Sequence, residues 1–385
     1  MTPAARWAAA ASVLDQISAG EPAEKALTTW ARKSRFAGSK DRAAIRDHVF
    51  DILRCWRSTA AMGGGESGRA RVLGRLRQTG EDPDTVFVGE GYALSALSDA
   101  ERTAGHQPTG AEALDLPDWI YEVFVKDLMD KADDAAETLR HRASVFVRVN
   151  LLKTDLVTAR SALLSEGIET EPHPLSDTAL EVVEGARRLS QTDAFRNGLI
   201  ELQDVASQAV VDALPLTDGM RCLDYCAGGG GKTLAIAARV RGPVDAHDAD
   251  PKRMSDLPDR ADRAGASVTC VDKPKGLYDL VLCDVPCSGS GSWRRAPEGK
   301  WRLTPERLEQ LTGIQAKILE QVAAFLRPGG TLAYATCSVL GCENEAQING
   351  FLNRQPDWTL GQQRRFDLAQ GGDGFFVATL TKPQP

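Results

Sequence analysis

Apolar residues recur three and four apart over most of the first 60 positions. In the stretches AAASVLDQISAG and DRAAIRDHVFDILRCW this spacing predicts amphipathic helices within 4–57. The basic segment ARKSRFAGSKDR connects them, with Gly38 and Ser39 as turn and helix start. MGGGESG, at 62–68, reads as a loop or hinge. Helical spacing resumes near Ala70 and again in DWIYEVFVKDLMDKADDAAETL, so residues 1–140 read as a mainly helical domain.

Near residue 143 the period changes. ASVFVRVNLLKT reads as a strand, LVTARSALLSEGI as a helix ending at Gly167, and ALEVVEG and GLIELQD as further short strands. This is a small α+β subdomain over 141–203. From 204 to 385 strands and helices alternate. The strands are MRCLDYC, PVDAHDAD, ASVTCVD, YDLVLCDVP, TLAYATCSV and GFFVATLTK. Between them lie the helix KTLAIAARV, the long amphipathic TPERLEQLTGIQAKILEQVAAFL, expected to stop at RPGG, and ENEAQINGFLNRQ. Such alternation predicts an α/β domain, a mostly parallel sheet covered by helices. Ligands in these sheets bind outside the carboxyl ends of the strands.

Composition narrows the class. The chain has 385 residues, 42% of them hydrophobic, which is ordinary for a globular protein. No apolar run reaches the 18 residues of a membrane span, and MTPAARWAAAASVLDQ lacks the layout of a secretory signal. Seven of the eight cysteines fall after residue 220, which does not read as a disulfide framework. The expectation is a cytoplasmic protein with reduced thiols, without a membrane or an obligate protein partner. A net charge of −7 argues against indiscriminate binding to nucleic acid. The charge is uneven, however. Residues 1–80 carry 14 Lys/Arg against 7 Asp/Glu, and residues 81–140 carry 4 against 15. The basic block suits either a nucleic-acid-facing surface or a solvated helical face.

LDYCAGGGGKT (223–233) follows a strand and opens a helix, where glycines admit a ligand close to the backbone and free amides favour anions. Two readings compete. A phosphate loop of an NTPase needs a glycine where Cys226 stands, although Gly231, Lys232 and Thr233 fit its end. A site for S-adenosylmethionine needs the close backbone approach and a carboxylate at the end of the next strand for the ribose. Asp248 stands 17 residues after Gly231, with Asp250 as the near alternative and Asp272 ending the following strand. A dehydrogenase fits worse, because the loop is not G-x-G-x-x-G.

Cys287 and Cys337 each follow a short apolar run. Cysteine most often packs as a small buried hydrophobe, and Cys222, Cys270 and Cys342 read that way. Cys222/Cys226 and Cys283/Cys287 are C-x₃-C pairs, but on an extended strand such residues lie about 13 Å apart, so no metal is expected. After Cys287 comes SWRRAPEGKWR. Its basic residues between Trp293 and Trp301 suit phosphate contact and base stacking, and a positive loop over a thiol favours the thiolate.

FRNGLIELQDVASQ, LDYCAGGGGKT, DVPCSGSG, YATCSVLGCENEAQI and DGFFVATL, in this order along the chain, resemble the Sun-type (Nop/Sun) RNA cytosine-5 methyltransferases, whose similar bacterial members act on 16S ribosomal RNA. The resemblance covers 143–385. Residues 1–60, with SKDRAAIRDHVFDILR, are similar to the NusB-like RNA-binding domain of some members. The resemblance implies a Rossmann-like S-adenosylmethionine-dependent methyltransferase fold and RNA as partner, ribosomal RNA first and transfer RNA as the alternative. It implies Cys337 as the nucleophile that adds to C6 of the base, Cys287 as the residue assisting release, and Asp284 as a contact to N3 or the exocyclic amine. Cofactor contacts would come from Cys226, Ala227, Gly228, Gly229, Gly230, Gly231, Lys232, Asp248, Asp272 and Asp284. Lys232 could in addition face the RNA. Two departures stand out. Gly228 and Gly229 occupy the family's Ala-Pro positions, which predicts a floppier loop, and the segment after Asp272 is short. An NTPase and a non-catalytic RNA-binding factor stay open as rivals, though a pure binder needs neither thiol.

Overall fold

The computed structural model describes residues 1–384 and divides into two compact units. The first comprises Met1–Arg142 and the separate segment Trp293–Arg302. The second comprises Ala143–Ser292 and the chain from Leu303 onward.

The first unit is helical. Helices α1 (Pro3–Ser18), α2 (Ala23–Lys33), α3 (Ser39–Arg54), α4 (Trp56–Gly63) and α5 (Gly68–Thr79) enclose Val13, Leu14, Ile45, Ile52, Val72 and Leu76, all buried. Full burial of each such Leu or Ile contributes roughly 1.5–3 kcal/mol. Thr2 caps α1 through its hydroxyl, and Ser67 caps α5. The glycine run is the loop that its composition predicts, with α4 ending at Gly63 and α5 starting at Gly68, and the two helices it joins cross tightly. A Cβ on Gly74 would stand 1.8 Å from the Thr59 carbonyl oxygen, so α4 and α5 touch backbone to backbone.

Segment 293–302 turns part of its basic and aromatic content inward, while Arg295 and Arg302 stay exposed. Trp293 is buried and stacks on Phe124, with ring centroids 6.2 Å apart. Arg294 is buried as well, and its carbonyl accepts from Arg54 Nε at 2.6 Å. Lys300 donates to the Arg54 carbonyl at 2.9 Å, and Trp301 Nε1 to that of Leu53 at 2.7 Å. The last carbonyls of α3 have no intrahelical partner, and these donors satisfy them. Lys300 and Trp301 thus finish a helix end.

The second unit holds two sheets. The small one has the order β2-β3-β1-β4, from β1 (Phe146–Val149), β2 (Glu169–Pro172), β3 (Ala179–Glu184) and β4 (Ile200–Leu202), with every pairing antiparallel. The large one has the order β10-β11-β9-β8-β5-β6-β7. Its strands are β5 (Cys222–Asp224), β6 (Val244–Ala246), β7 (Val268–Cys270), β8 (Tyr278–Asp284), β9 (Leu326–Thr336), β10 (Thr359–Phe366) and β11 (Phe375–Thr381). β5 to β9 run parallel, and β10 and β11 run antiparallel to their neighbours. This is the Rossmann-like methyltransferase arrangement. β5 leads to β6 and β7 on one side, and the chain then returns to place β8 on the other. The order therefore reverses between β5 and β8, where a crevice opens at the strand ends. The long helix ends at Ala323, and RPGG lies inside β9, where the register with β8 slips. β10 is an edge strand with a register shift between Leu360 and Gln363. Among the described residues no helix is long and apolar enough to cross a membrane.

Candidate active site

β8 and β9 are parallel neighbours, and Asp284, the last residue of β8, pairs with Ala335. Cys287 lies three residues beyond that end and Cys337 immediately beyond β9. Adjacent parallel strands deliver their following loops to the same edge, so residues 50 apart in sequence meet. The two sulfurs are 3.4 Å apart. The Gly291 amide donates to the Cys337 carbonyl at 3.0 Å, joining the loops a second time. The Cys337 contact and burial push the Cys287 thiol well above its ordinary range, with the charges of Cys337 and Glu343 adding to the effect. Cys287 is thus held protonated.

Lys232, near the start of the helix Gly231–Val240, is buried with its ammonium 2.7 Å from Asp284 Oδ2. Burial alone would lower its pKa. Asp284, both by charge and by hydrogen bond, and the nearby Cys337 and Asp224 outweigh that, and the shift is upward. Lys232 is a cation within electrostatic reach of Cys337.

The glycine loop follows β5. Asp224 ends that strand fully buried; its Oδ2 accepts from Thr233 Oγ1 at 2.7 Å and its Oδ1 has no partner. Burial pushes its pKa up to about 7, against the Thr233 hydrogen bond and with Asp284 and Asp248 assisting. The expected floppiness is absent. The Ala227 amide donates to the His247 carbonyl, that of Gly230 to Ala227, and that of Gly228 to Asp248 Oδ2 at 2.9 Å. Arg260 donates to the Gly229 carbonyl and Arg148 to that of Gly231. Gly230 has φ +79°, and a Cβ there would meet Leu257 at 2.2 Å, so its glycine is required. Burial, followed by the surrounding negative charges, raises the Cys226 thiol well above its ordinary range.

These residues fit S-adenosylmethionine. Its sulfonium is a cation, and Asp224, Asp248 and Asp284 offer carboxylates at the ends of β5, β6 and β8. The backbone 226–231 leaves the close approach that a ribose and methionine tail need, and the orphaned Asp224 oxygen awaits a donor. Asp248, rather than the exposed Asp250, is the buried acid after β6. Asp272 is not drawn in, since it lies exposed, two residues past β7. Cys270, expected to be buried, is exposed too.

Sequence reasoning missed the group that binds the cysteine loops together. Glu343 is fully buried in the turn Gly341–Glu343. It accepts from the Ser288 amide at 2.8 Å, Ser288 Oγ at 2.5 Å, Ser338 Oγ at 2.5 Å and Gln315 Nε2 at 3.0 Å. The available signal was a single acid, Glu343, six residues after Cys337.

Residues 211–381 match the family model "16S rRNA methyltransferase RsmB/F", and residues 116–187 match the RsmF/B-like ferredoxin-like domain. A ribosomal RNA small subunit methyltransferase B from Xylella fastidiosa is 33% identical, with 82% of each chain covered. Its counterpart from Salmonella arizonae is 34% identical over 69% of this chain, and the match spans 66% of that relative's length. In fold, the chain is similar to the crystal structure of PH0851, with a TM-score of 0.78, 24% identity and 99% of both chains covered. It is also similar to NSun6 from Pyrococcus horikoshii, solved with SFG, with a TM-score of 0.63, 18% identity, and 70% and 99% covered. With relatives of this identity and extent, the chain belongs to the RsmB/F family of 16S ribosomal RNA methyltransferases.

Proposed function

We propose that this protein methylates C5 of a cytosine in RNA, with 16S ribosomal RNA as substrate, and that Cys337 carries the base as a covalent adduct. The observation that supports this most is the pair of thiols 3.4 Å apart beside the Lys232–Asp284 ion pair. C5 of cytosine is a poor nucleophile within its aromatic ring. Addition of the Cys337 sulfur to C6 forms an S–C6 bond and moves an electron pair of the ring toward C5. S-adenosylmethionine, when bound, supplies the electrophilic methyl group that C5 takes up. Asp284 accepts from the exocyclic amine and from N3 once that is protonated, and Lys232 holds its carboxylate in place. Loss of the C5 proton to a base then allows the C6–S bond to break. The protonated Cys287 donates a hydrogen bond to the departing Cys337 sulfur. One thiol attacks and the other eases release. The base must leave its stack to reach these groups.

The test is incubation of the full chain with labelled methyl donor and 16S RNA, followed by bisulfite sequencing. The expected result is one protected cytosine. Cys337→Ala should abolish transfer while leaving donor binding intact, and Cys287→Ala should accumulate a protein–RNA band in a denaturing gel. Undiminished turnover by Cys337→Ala overturns the reading; ATP hydrolysis without methyl transfer favours an NTPase.

A further inference from the structure

Glu343 is a buried carboxylate with no cation. Among the described residues no lysine, arginine or histidine pairs with it, and its four hydrogen bonds all come from neutral donors. Burying an unpaired charge is costly unless every lone pair is satisfied. Two of those donors are hydroxyls of the residues that directly follow the two cysteines.

We propose that Glu343 is a positioning residue for methyl transfer: by tying Ser288 to Ser338 it sets the separation of the Cys287 and Cys337 sulfurs. The inference rests on the reaction proposed above and deepens it. Oε1 takes the Ser288 amide and Gln315, and Oε2 takes both hydroxyls, so one carboxylate spans the loops after β8 and β9. Gln315 serves the same purpose from the helix Pro305–Ala323. Its amide nitrogen donates to Glu343 and to the Pro286 carbonyl, both at 3.0 Å, while its own buried oxygen is left without a partner.

The network also dictates that the group be an acceptor at every position. Ser338 Oγ accepts from the Leu340 amide at 3.0 Å and lies 2.9 Å from Ser290 Oγ, which itself accepts from the Val339 amide. Ser288 Oγ accepts from the Ser290 amide at 3.2 Å. Both hydroxyls are therefore committed to donating toward Glu343. A glutamine has the same shape, but its NH₂ would face donors, and the two loops would separate. Asn344, next in sequence, adds to the frame, accepting from Thr336 and donating to the Ser338 carbonyl.

Glu343→Gln tests this on the full chain with two independent readouts. Methyl transfer should lose about 100-fold in kcat, with KM for RNA little changed, as expected for an ångström-scale misplacement of reacting groups. Separately, diamide oxidation without RNA or methyl donor should form the Cys287–Cys337 disulfide at least about tenfold more slowly than in the parent, because the bond requires close sulfurs. Parental cross-linking and kcat in Glu343→Gln overturn the proposal. The cross-linking arm stands even if the methylation reading fails, which separates the two. If Glu343→Gln loses its cooperative thermal transition, Ser288→Ala keeps the carboxylate and removes one tie. It should slow both reactions by a smaller factor, and parental values of both overturn the proposal equally.

Discussion

Among the described residues two lysines are buried, one in each unit, and their environments drive them in opposite directions. Lys232 faces the carboxylate of Asp284 at 2.7 Å, and its pKa is raised. Lys300 faces the carbonyl of Arg54 at 2.9 Å, and burial lowers its pKa to about 8 despite the more distant Asp115. A carbonyl dipole closes a helix end but does not repay the hydration of a full charge, whereas a carboxylate can. The contrast separates a lysine that organises a site from one that plugs a backbone.

The contrast can be tested by methionine substitution. The largest effect is expected from Lys232→Met. It strands Asp284 beside Asp224, and the folded state should lose about 3 kcal/mol, as when one partner is removed from a buried pair. Methyl transfer should fall to background. Chemical unfolding and the labelling assay measure both, and a variant as active as the parent removes Lys232 from the site. Lys300→Met should act on pH dependence instead. Below pH 8 the folded and unfolded chains both hold the proton, and folding bears a burial penalty of about 3 kcal/mol for a shift from 10.5 to about 8. Between pH 8 and 10.5 the unfolded chain keeps the proton that the folded chain releases, so stability rises with pH. Urea unfolding at pH 7 to 10 should show that rise in the parent and not in Lys300→Met. The smallest effect belongs to a cation left in water. Arg46 and Glu24 form an ion pair 2.5 Å apart with both side chains at least half exposed, and Glu24→Gln should cost less than about 1 kcal/mol and less still in high salt.

Much of this was legible because parallel strands are apolar throughout. β8 and β9 announce themselves as YDLVLCD and TLAYAT, and the loops at their ends carry the cysteines. The two strands that the pattern did not reveal are both edges. β2 (ETEP) and β10 (TLGQQRRF) bury almost nothing and are held by backbone bonds to one neighbour, so no alternation marks them. The inward turn of Lys300 and Trp301 was not legible because Trp and Lys look the same whether they await a base or satisfy helix carbonyls. Glu343 escaped notice because its donors come from three separate stretches, and no local spacing reports a convergence made by the fold.

The edge strand β10 carries one more implication. Gln362, Gln363 and Arg364 stand exposed along it, and the slip after Leu360 bends its free rim. A flat apolar rim would invite another molecule to extend the sheet. Charge and a bulge discourage such end-on growth, and Arg365 is further engaged inward by Glu345. The molecule can leave one flank of its largest sheet uncovered and still resist fibrous self-association at the high concentrations met during synthesis.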